Sequence, residues 1–393
     1  MLHIRHLLRH RGKLAATVTA AVLPVSLAWA GMATAGTTPQ PFQLPSIKHV
    51  WIIELENEGL SQSFGDRAAD PYLAVVLRSE GALLKNYFAV GHDSLDNYVA
   101  QISGQAPDHA TQNDCGVWTR FRPANVIEKP FSQLVGNGCV FPASIPTLGN
   151  QMSAAHLTWK AYLQDMGNQP ARDRTTMTKQ GPACGHPMVG KPDDTEGATA
   201  ADQFADRHEG FMYFESVIGD QAFCDAHILS FQPLRTDLRS ISKTPNFSWV
   251  TPNLCNDGHD APCADGDPGG LAQINGFLQI WVPQILNSPA YKAGGLILIT
   301  FDEGSNSAAC CGETLGKSPS HPNVADPGMP GPGGGRVGLV ALSPFINPGT
   351  VSTVDYNHYS MLRTIEDIFG LSHLGDAAMP QVKSFGSDVF TKS

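Results

Sequence analysis

Residues able to bind a cation or move a proton recur at the ends of this chain's apolar runs. Glu54, Glu56 and Asn57 close the run 47–55 (IKHVWIIEL), and His92, Asp93, Ser94, Asp96 and Asn97 follow the run 82–90. Asn253, Asn256, Asp257, His259 and Asp260 follow FSWVT (247–251), and Asp302 and Glu303 follow LILITF (296–301). Asp355, Asn357 and His358 precede the last helical pattern. Carboxylates, amides and imidazoles are the donors that hard or borderline divalent ions take. Taken singly, an acid after a strand caps a helix or forms a turn, and 256–260 (NDGHD) has the form of an Asp-Gly turn. The adjacent pair Asp302-Glu303 is harder to place without a cation, because two anions at a buried edge repel.

Ser94 stands where a helix N-cap would, and capping is one role for it. The other is that of a nucleophile at a helix N-terminus, where backbone N–H groups and the helix dipole stabilise an alkoxide and a phosphoryl oxygen and a nearby metal lowers the hydroxyl pKa. The surrounding GHDSL (91–95) is not the G-x-S-x-G elbow of serine hydrolases. GETLGKS (312–318) is one residue short of a P-loop.

Alternating strands and helices must position these groups. Strands are expected over 47–55, 82–90, 158–163, 247–251, 296–301 and 337–342. Helices are expected over 71–80, 94–103 with Gly104 as its stop, 146–156, 270–287 and 359–369 with Gly370 as its stop. LILITF is almost wholly apolar, the kind of strand that is buried on both faces. The alternation implies an α/β fold, a mostly parallel sheet with helices on both faces, and in such sheets sites form at the carboxyl ends of the strands. Two polar stretches rich in Gly, Pro and Asp, 168–210 and 304–335, read as insertions that leave the core. No internal repeat is found, so 36–393 reads as a single domain.

Residues 1–35 read as an export signal: Arg5, Arg9, Arg11 and Lys13 form a basic head, an uncharged apolar run covers 14–30, and small-x-small cleavage sites follow. An uncleaved anchor is the rival, since the run is at the short limit for a membrane span. Removal takes four of the 26 cations and none of the 36 acidic residues, which leaves a net charge of −14. Such a surface repels nucleic acid, does not suit an anionic membrane and predicts no stable membrane insertion once the signal is gone. An anionic substrate must then be captured locally. All eight cysteines lie beyond the signal, and an even count in an exported chain reads as disulfides. Sequence order suggests 115–139, 184–224, 255–263 and 310–311. The last pair is doubtful because neighbouring Cα atoms are only ~3.8 Å apart. A zinc site is the rival reading, and no paired C-x-x-C spacing supports it.

Five blocks together resemble the phosphoesterase family of secreted acid phosphatases and phospholipases C, within the alkaline phosphatase-like superfamily: HVWIIELEN (49–57), GHDSLDNYVAQISG (91–104), VTPNLCNDGHD (250–260), LILITFDEG (296–304) and DYNHYSMLRTIEDIFG (355–370). The resemblance implies an alkaline phosphatase-like fold and metal-assisted phosphoryl transfer through a phospho-enzyme. It points to Ser94 as nucleophile, to Glu56, Asn57, Asp257, Asp302 and Glu303 as holders of one or two divalent ions (Ca²⁺, Mg²⁺ or Zn²⁺), and to His259 and His358 as catalytic groups. His92 is a candidate for orienting phosphate oxygens. Glu58-Gly59-Leu60 departs from the phospholipase branch. The implied activity is a secreted (extracellular or periplasmic) phosphomonoesterase acting on a small-molecule or lipid phosphoester, possible phosphoinositides included, with no nucleic-acid partner. A phosphodiesterase using the same site and a non-catalytic exported metal-binding protein are the alternatives.

Overall fold

The computed structural model describes Thr17 and residues 42–65, 68–313 and 333–392. The export signal expected over 1–35 lies outside the described residues apart from Thr17, as does 314–332 of the second expected insertion. Among the described residues no helix is long and apolar enough to cross a membrane.

Residues 42–393 build one compact unit around a ten-stranded sheet. In spatial order its strands are Thr350–Ser352, Ala82–Leu84, Leu339–Leu342, Gly295–Phe301, His49–Leu55, Phe247–Thr251, Trp159–Leu163, Ile228–Ser230, Gly181–Ala183 and Thr176–Thr178. The strands from Gly295–Phe301 to Ile228–Ser230 are mutually parallel, and antiparallel strands flank them on both sides. All seven residues of His49–Leu55 and of Gly295–Phe301 are buried. Successive side chains point to opposite faces of a strand, so both faces must be covered. Gln101 of the Ser94–Ser103 helix donates to Glu54 on one face (2.9 Å), while Trp51 meets Tyr291 on the other.

Register carries the chemistry to one edge. Ile53 pairs with both Val250 and Ile299, and Leu55 with Phe301. The residues just beyond these strands therefore emerge side by side: the Asp302 amide donates to the Leu55 carbonyl and the Glu56 amide to the Asp257 carbonyl, both at 2.9 Å.

The helix expected over 94–103 forms over Ser94–Ser103, and Gly104 ends it at φ 67, the left-handed conformation that glycine adopts without a Cβ penalty. Phe247–Thr251 also forms as expected. The expected strand 82–90 is interrupted. Ala82–Leu84 joins the large sheet and Tyr87–Phe88 pairs separately with Tyr356–Asn357, because Asn86 turns the chain by donating to the Thr353 carbonyl and the Asp355 carboxylate. The helix over 71–80 is π-helical at Tyr72–Leu77 before one turn of α-helix. Segment 168–210 is only partly an excursion. Its hairpin, Thr176–Thr178 with Gly181–Ala183, extends the sheet beside Ile228–Ser230, and its 3₁₀ turn Asp206–His208 is buried.

Four disulfides link 115–139, 184–224, 255–263 and 310–311. The doubt over the last pair is overturned: Cys310 and Cys311 keep the 3.8 Å Cα separation of peptide neighbours. The usual disulfide separation describes cysteines joined through space, whereas adjacent ones close a ring through their own peptide.

Candidate active site

Ser94 is the first residue of its helix, and Asp93 holds the N-cap position at φ 72 without a side-chain cap bond. Its side chain is therefore not the cap. Instead the hydroxyl donates to Glu56 Oε2 at 2.7 Å, and Tyr98, one turn along the same helix face, donates to Glu56 Oε1 at 2.5 Å. Asn97 fixes the preceding loop by accepting from the amides of Val90 and Gly91 and donating to the carbonyls of Gly91 and Asp93. Gly91 is required there, since a Cβ would fall 2.1 Å from Asp96 Oδ2. Asn57, at φ 64, and Asp93 are non-glycine residues in a strained region, a feature that concentrates at functional sites.

Around Glu56 stand Asp257, His208 and Asp302. His208 Nδ1 lies 2.9 Å from Asp257 Oδ2, and its Nε2 lies 3.4 Å from Glu56 Oε2. Glu56, His208 and Asp257 are buried, and each offers a ligand atom within 4.8 Å of the others. Burial, then Asp302 and Asp257, push the Glu56 pKa well above its usual range. Asp257 is raised mainly by burial as well. Burial lowers His208 well below its usual value, aided by Arg207 and His259. His208 Nε2 and Glu56 Oε2 stand 3.4 Å apart, with Nδ1 engaged by Asp257, so Nε2 is the ring nitrogen left to face Glu56. Asp302 Oδ2 and His208 Nε2 are buried without a hydrogen-bond partner. A buried acceptor without a partner costs about 1–3 kcal/mol, and a divalent cation held by Glu56, His208 and Asp257 would give His208 Nε2 its partner. Ligands ~2.1 Å from a tetrahedral ion sit about 3.4 Å apart. The donor set fits a metal.

The remaining expected site residues divide. Asn57 is exposed, and its backbone amide meets Asp302 Oδ1 at 2.9 Å. Glu303 lies 2.6 Å from His92 Nδ1 and outside the Glu56–His208–Asp257 group. His259 holds Asp257 through its amide (2.8 Å), while its ring meets Asp260 at 2.9 Å. His358 is fully buried, with Nε2 2.7 Å from the Asp302 carbonyl and Nδ1 3.0 Å from the Tyr87 hydroxyl. Burial lowers its pKa to about 4. Both of its ring nitrogens are engaged.

The sequence reading missed His208, Arg207, Tyr98 and Asp114. His208 and Arg207 lie inside the stretch expected to leave the core. The available signal was Asp206-Arg207-His208-Glu209, four ionisable residues in a row that are all buried. Arg207 Nη2 lies 3.3 Å from His259 Nε2 and its Nε lies 3.6 Å from Asp114 Oδ2.

A mostly parallel sheet with helices on both faces, carrying a serine and an acid–imidazole cage at its carboxyl edge, defines a class of α/β hydrolytic scaffold. The sequence pattern of the Phosphoesterase family matches residues 62–372, and the chain belongs to that family, whose name denotes hydrolases of phosphate esters. A phosphate-repressible acid phosphatase of Penicillium chrysogenum is 24% identical over 299 residues, 76% of this chain and 54% of that protein. A phosphatidylinositol-3-phosphatase of Mycobacterium tuberculosis is 23% identical over 334 residues, 85% of this chain and 81% of that protein. The chain thus spans little more than half the length of the Penicillium relative. Among solved structures, a protein in the alkaline phosphatase superfamily from Vibrio parahaemolyticus is similar at a TM-score of 0.44 and 11% identity, over 88% of this chain and 71% of that one.

Proposed function

We propose that this chain is an exported, metal-dependent phosphomonoesterase with Ser94 as nucleophile. The observation that carries the reading is the Ser94 hydroxyl hydrogen-bonded to Glu56, a member of the buried acid–imidazole cage. Glu56, His208 and Asp257 would hold the ion, with Asp302 beside them. The imidazole weighs toward a borderline ion such as Zn²⁺ over Ca²⁺. When bound, the ion lowers the serine hydroxyl pKa and neutralises phosphoryl charge.

The chain's own groups then act as follows. The Ser94 oxygen attacks phosphorus as its proton passes to solvent, with Glu56 Oε2 orienting the hydroxyl. The phosphorus–oxygen ester bond breaks, and the leaving alkoxide takes a proton from solvent. Water next attacks the phosphoserine, phosphate leaves, and Ser94 recovers a proton from solvent. The sum is ester plus water to alcohol plus phosphate. Tyr98 holds the second oxygen of Glu56, and His358 braces the Asp302 backbone. His92, clamped by Glu303 two residues before Ser94, is the candidate for a hydrogen bond to a phosphoryl oxygen. The name of the mycobacterial relative extends the substrate class to phosphoinositides.

The test is a 4-nitrophenyl phosphate assay of wild type and Ser94→Ala. Turnover in the wild type that disappears in the variant supports the reading. Undiminished turnover in the variant removes Ser94 from the chemistry.

A further inference from the structure

The four disulfides differ in their access to solvent. Cys115, Cys139, Cys184, Cys224, Cys255 and Cys263 are each at most 5% exposed, whereas Cys310 and Cys311 are half-buried. A disulfide is opened by a thiolate that must reach one of its sulfurs, so access decides which bridge opens first. The three buried bridges hold residues 24, 40 and 8 positions apart. Cys310–Cys311 joins chain neighbours and closes no loop, so opening it releases no long segment. A local change is therefore open to this pair while the fold stays intact.

Backbone hydrogen bonds lead from the pair to the site. The Ala308 carbonyl, two residues before Cys310, accepts the Gly335 amide at 2.9 Å, and the Gly335 carbonyl accepts the Ala89 amide at 2.9 Å. Gly304, which follows Glu303, donates to the Gly334 carbonyl at 2.8 Å. Gly334 also lies hard against the loop before Ser94, since a Cβ there would fall 2.4 Å from the Gly91 carbonyl oxygen. Segment 304–308 and loop 89–92 are thus fastened to one strip, 334–335, and His92 meets Glu303 at 2.6 Å across the join. Cys311 is held at φ 66, a left-handed conformation that is costly for a residue with a Cβ and persists only where its surroundings fix it. The disulfide ring runs through the N–Cα bond of Cys311, the bond that φ turns. Once the ring opens, Cys311 can return to a negative φ and redirect the chain three residues from Ala308.

We propose that Cys310–Cys311 is a redox modification site, opened by a dithiol before the other three disulfides, and that opening it loosens the strip that holds His92 against Glu303. In the reaction one thiolate of the dithiol attacks a ring sulfur, a mixed disulfide forms, and the other cysteine leaves as a thiolate. The second thiol of the reductant then displaces the remaining cysteine as the reductant closes into its own disulfide. Two electrons pass to the protein, and the two thiol protons of the reductant end on Cys310 and Cys311. An exported chain meets oxidising surroundings, so the closed ring is the resting form. The consequence for turnover rests on the phosphomonoesterase reading, in which His92 meets a phosphoryl oxygen.

The experiment treats folded wild type with dithiothreitol, alkylates it with iodoacetamide and maps the labelled cysteines by peptide mass. Amide hydrogen exchange and 4-nitrophenyl phosphate turnover are read on the same reduced protein. Cys310 and Cys311 should label roughly tenfold faster than the other six cysteines. The amides of Ala89, Gly304 and Gly335 should exchange about threefold to tenfold faster after reduction, the scale of one lost hydrogen bond, and turnover should fall by about the same factor. Re-oxidation should restore both, which damage to the fold would not allow. The double substitution Cys310→Ala with Cys311→Ala should exchange and turn over as reduced wild type does, with no further response to dithiothreitol. Thiols at 310 and 311 in untreated protein, labelling of the buried cysteines first or at an equal rate, or unchanged exchange at the three amides would overturn the proposal. So would unchanged turnover on reduction of an active wild type, or an equal loss on dithiothreitol in the double variant. Should that variant fail to fold, the cycle of reduction and re-oxidation in wild type carries the test. A wild type that hydrolyses no ester in either state defeats the phosphomonoesterase reading, while labelling and exchange still decide the redox site.

Discussion

Two buried acidic networks follow the carboxyl ends of the parallel strands, and they satisfy their polar groups to opposite degrees. In the first, Arg172 Nη1 bonds Asp173 and Asp202 at 2.9 and 3.2 Å, while its Nη2 bonds the carbonyls of Gly197 and Phe204. The other oxygens of those acids take the amides of Gly167 and Gln169, both at 2.6 Å. Cation and carboxylates satisfy one another, and the knot ties segment 168–210 to itself. In the second, Glu56, Asp257 and Asp302 crowd together around a neutral His208, and Asp302 Oδ2 and His208 Nε2 are left without partners. Segment 168–210 links the two, since its ordered knot holds the chain that delivers Arg207 and His208. A network whose acids each find a guanidinium and an amide stabilises the fold. An unbalanced one crowds acidic groups that a bound divalent cation would relieve.

Four outcomes would break or sharpen that contrast. The largest is expected at the nucleophile. Ser94→Ala should lower turnover of a phosphomonoester on the order of a thousandfold or more, with thermal stability close to wild type; retention of turnover would show that the unbalanced cluster does no chemistry through this serine. Next comes the cage. Asp257→Asn should lower kcat/KM by about a hundredfold, in the range of strongly perturbed metal sites, and in chelator-treated protein it should raise the melting temperature by removing one repelling charge. A fall in melting temperature of the chelated variant would show that the cage is balanced without an ion.

The knot should respond with the opposite sign. Asp202→Asn leaves Arg172 with one ionic partner and should destabilise the chain by about 3 kcal/mol, the scale for breaking a buried pair. Urea unfolding measures it, and a neutral result would remove the knot from the stability of the fold. The smallest effect concerns acids remote from both networks. Burial pushes Asp70 up to about 8 and Glu366 up to about 9. Each therefore keeps its proton in the folded state where the unfolded chain has lost it. The folded state binds more protons between about pH 4 and pH 9, so this stability is complete below about pH 4 and is lost progressively as pH rises to about 8–9. Thermal unfolding across that range should show it, and Asp70→Asn should flatten the slope; a variant as steep as wild type would contradict the Asp70 share.

Much of the fold was legible because its central strands and helices carry strong local signals. The Ser94 helix announces itself by Gly104, and LILITF by its unbroken apolarity. The groups after the strands were legible for a related reason: parallel strands in register bring their carboxyl ends to one edge. What could not be read was contact between segments. Glu303 was expected beside Asp302, and its pairing with His92 across the chain could not be read from sequence. His358 was pointed to by the resemblance, and its contact with the Asp302 carbonyl could not be read from sequence. His208 and Arg207 sit in a polar stretch that shows neither helical nor strand period, and only the folded sheet edge reveals that it returns to the site.

The most direct test is elemental analysis of divalent ions per chain in purified wild type and His208→Ala. A cation held by Glu56, His208 and Asp257 predicts bound ion in the wild type and about one equivalent less in the variant, in line with the affinity lost when a ligand is removed. Equal metal content in the two proteins, or a wild type that turns over phosphoester after complete removal of divalent ions, would contradict it.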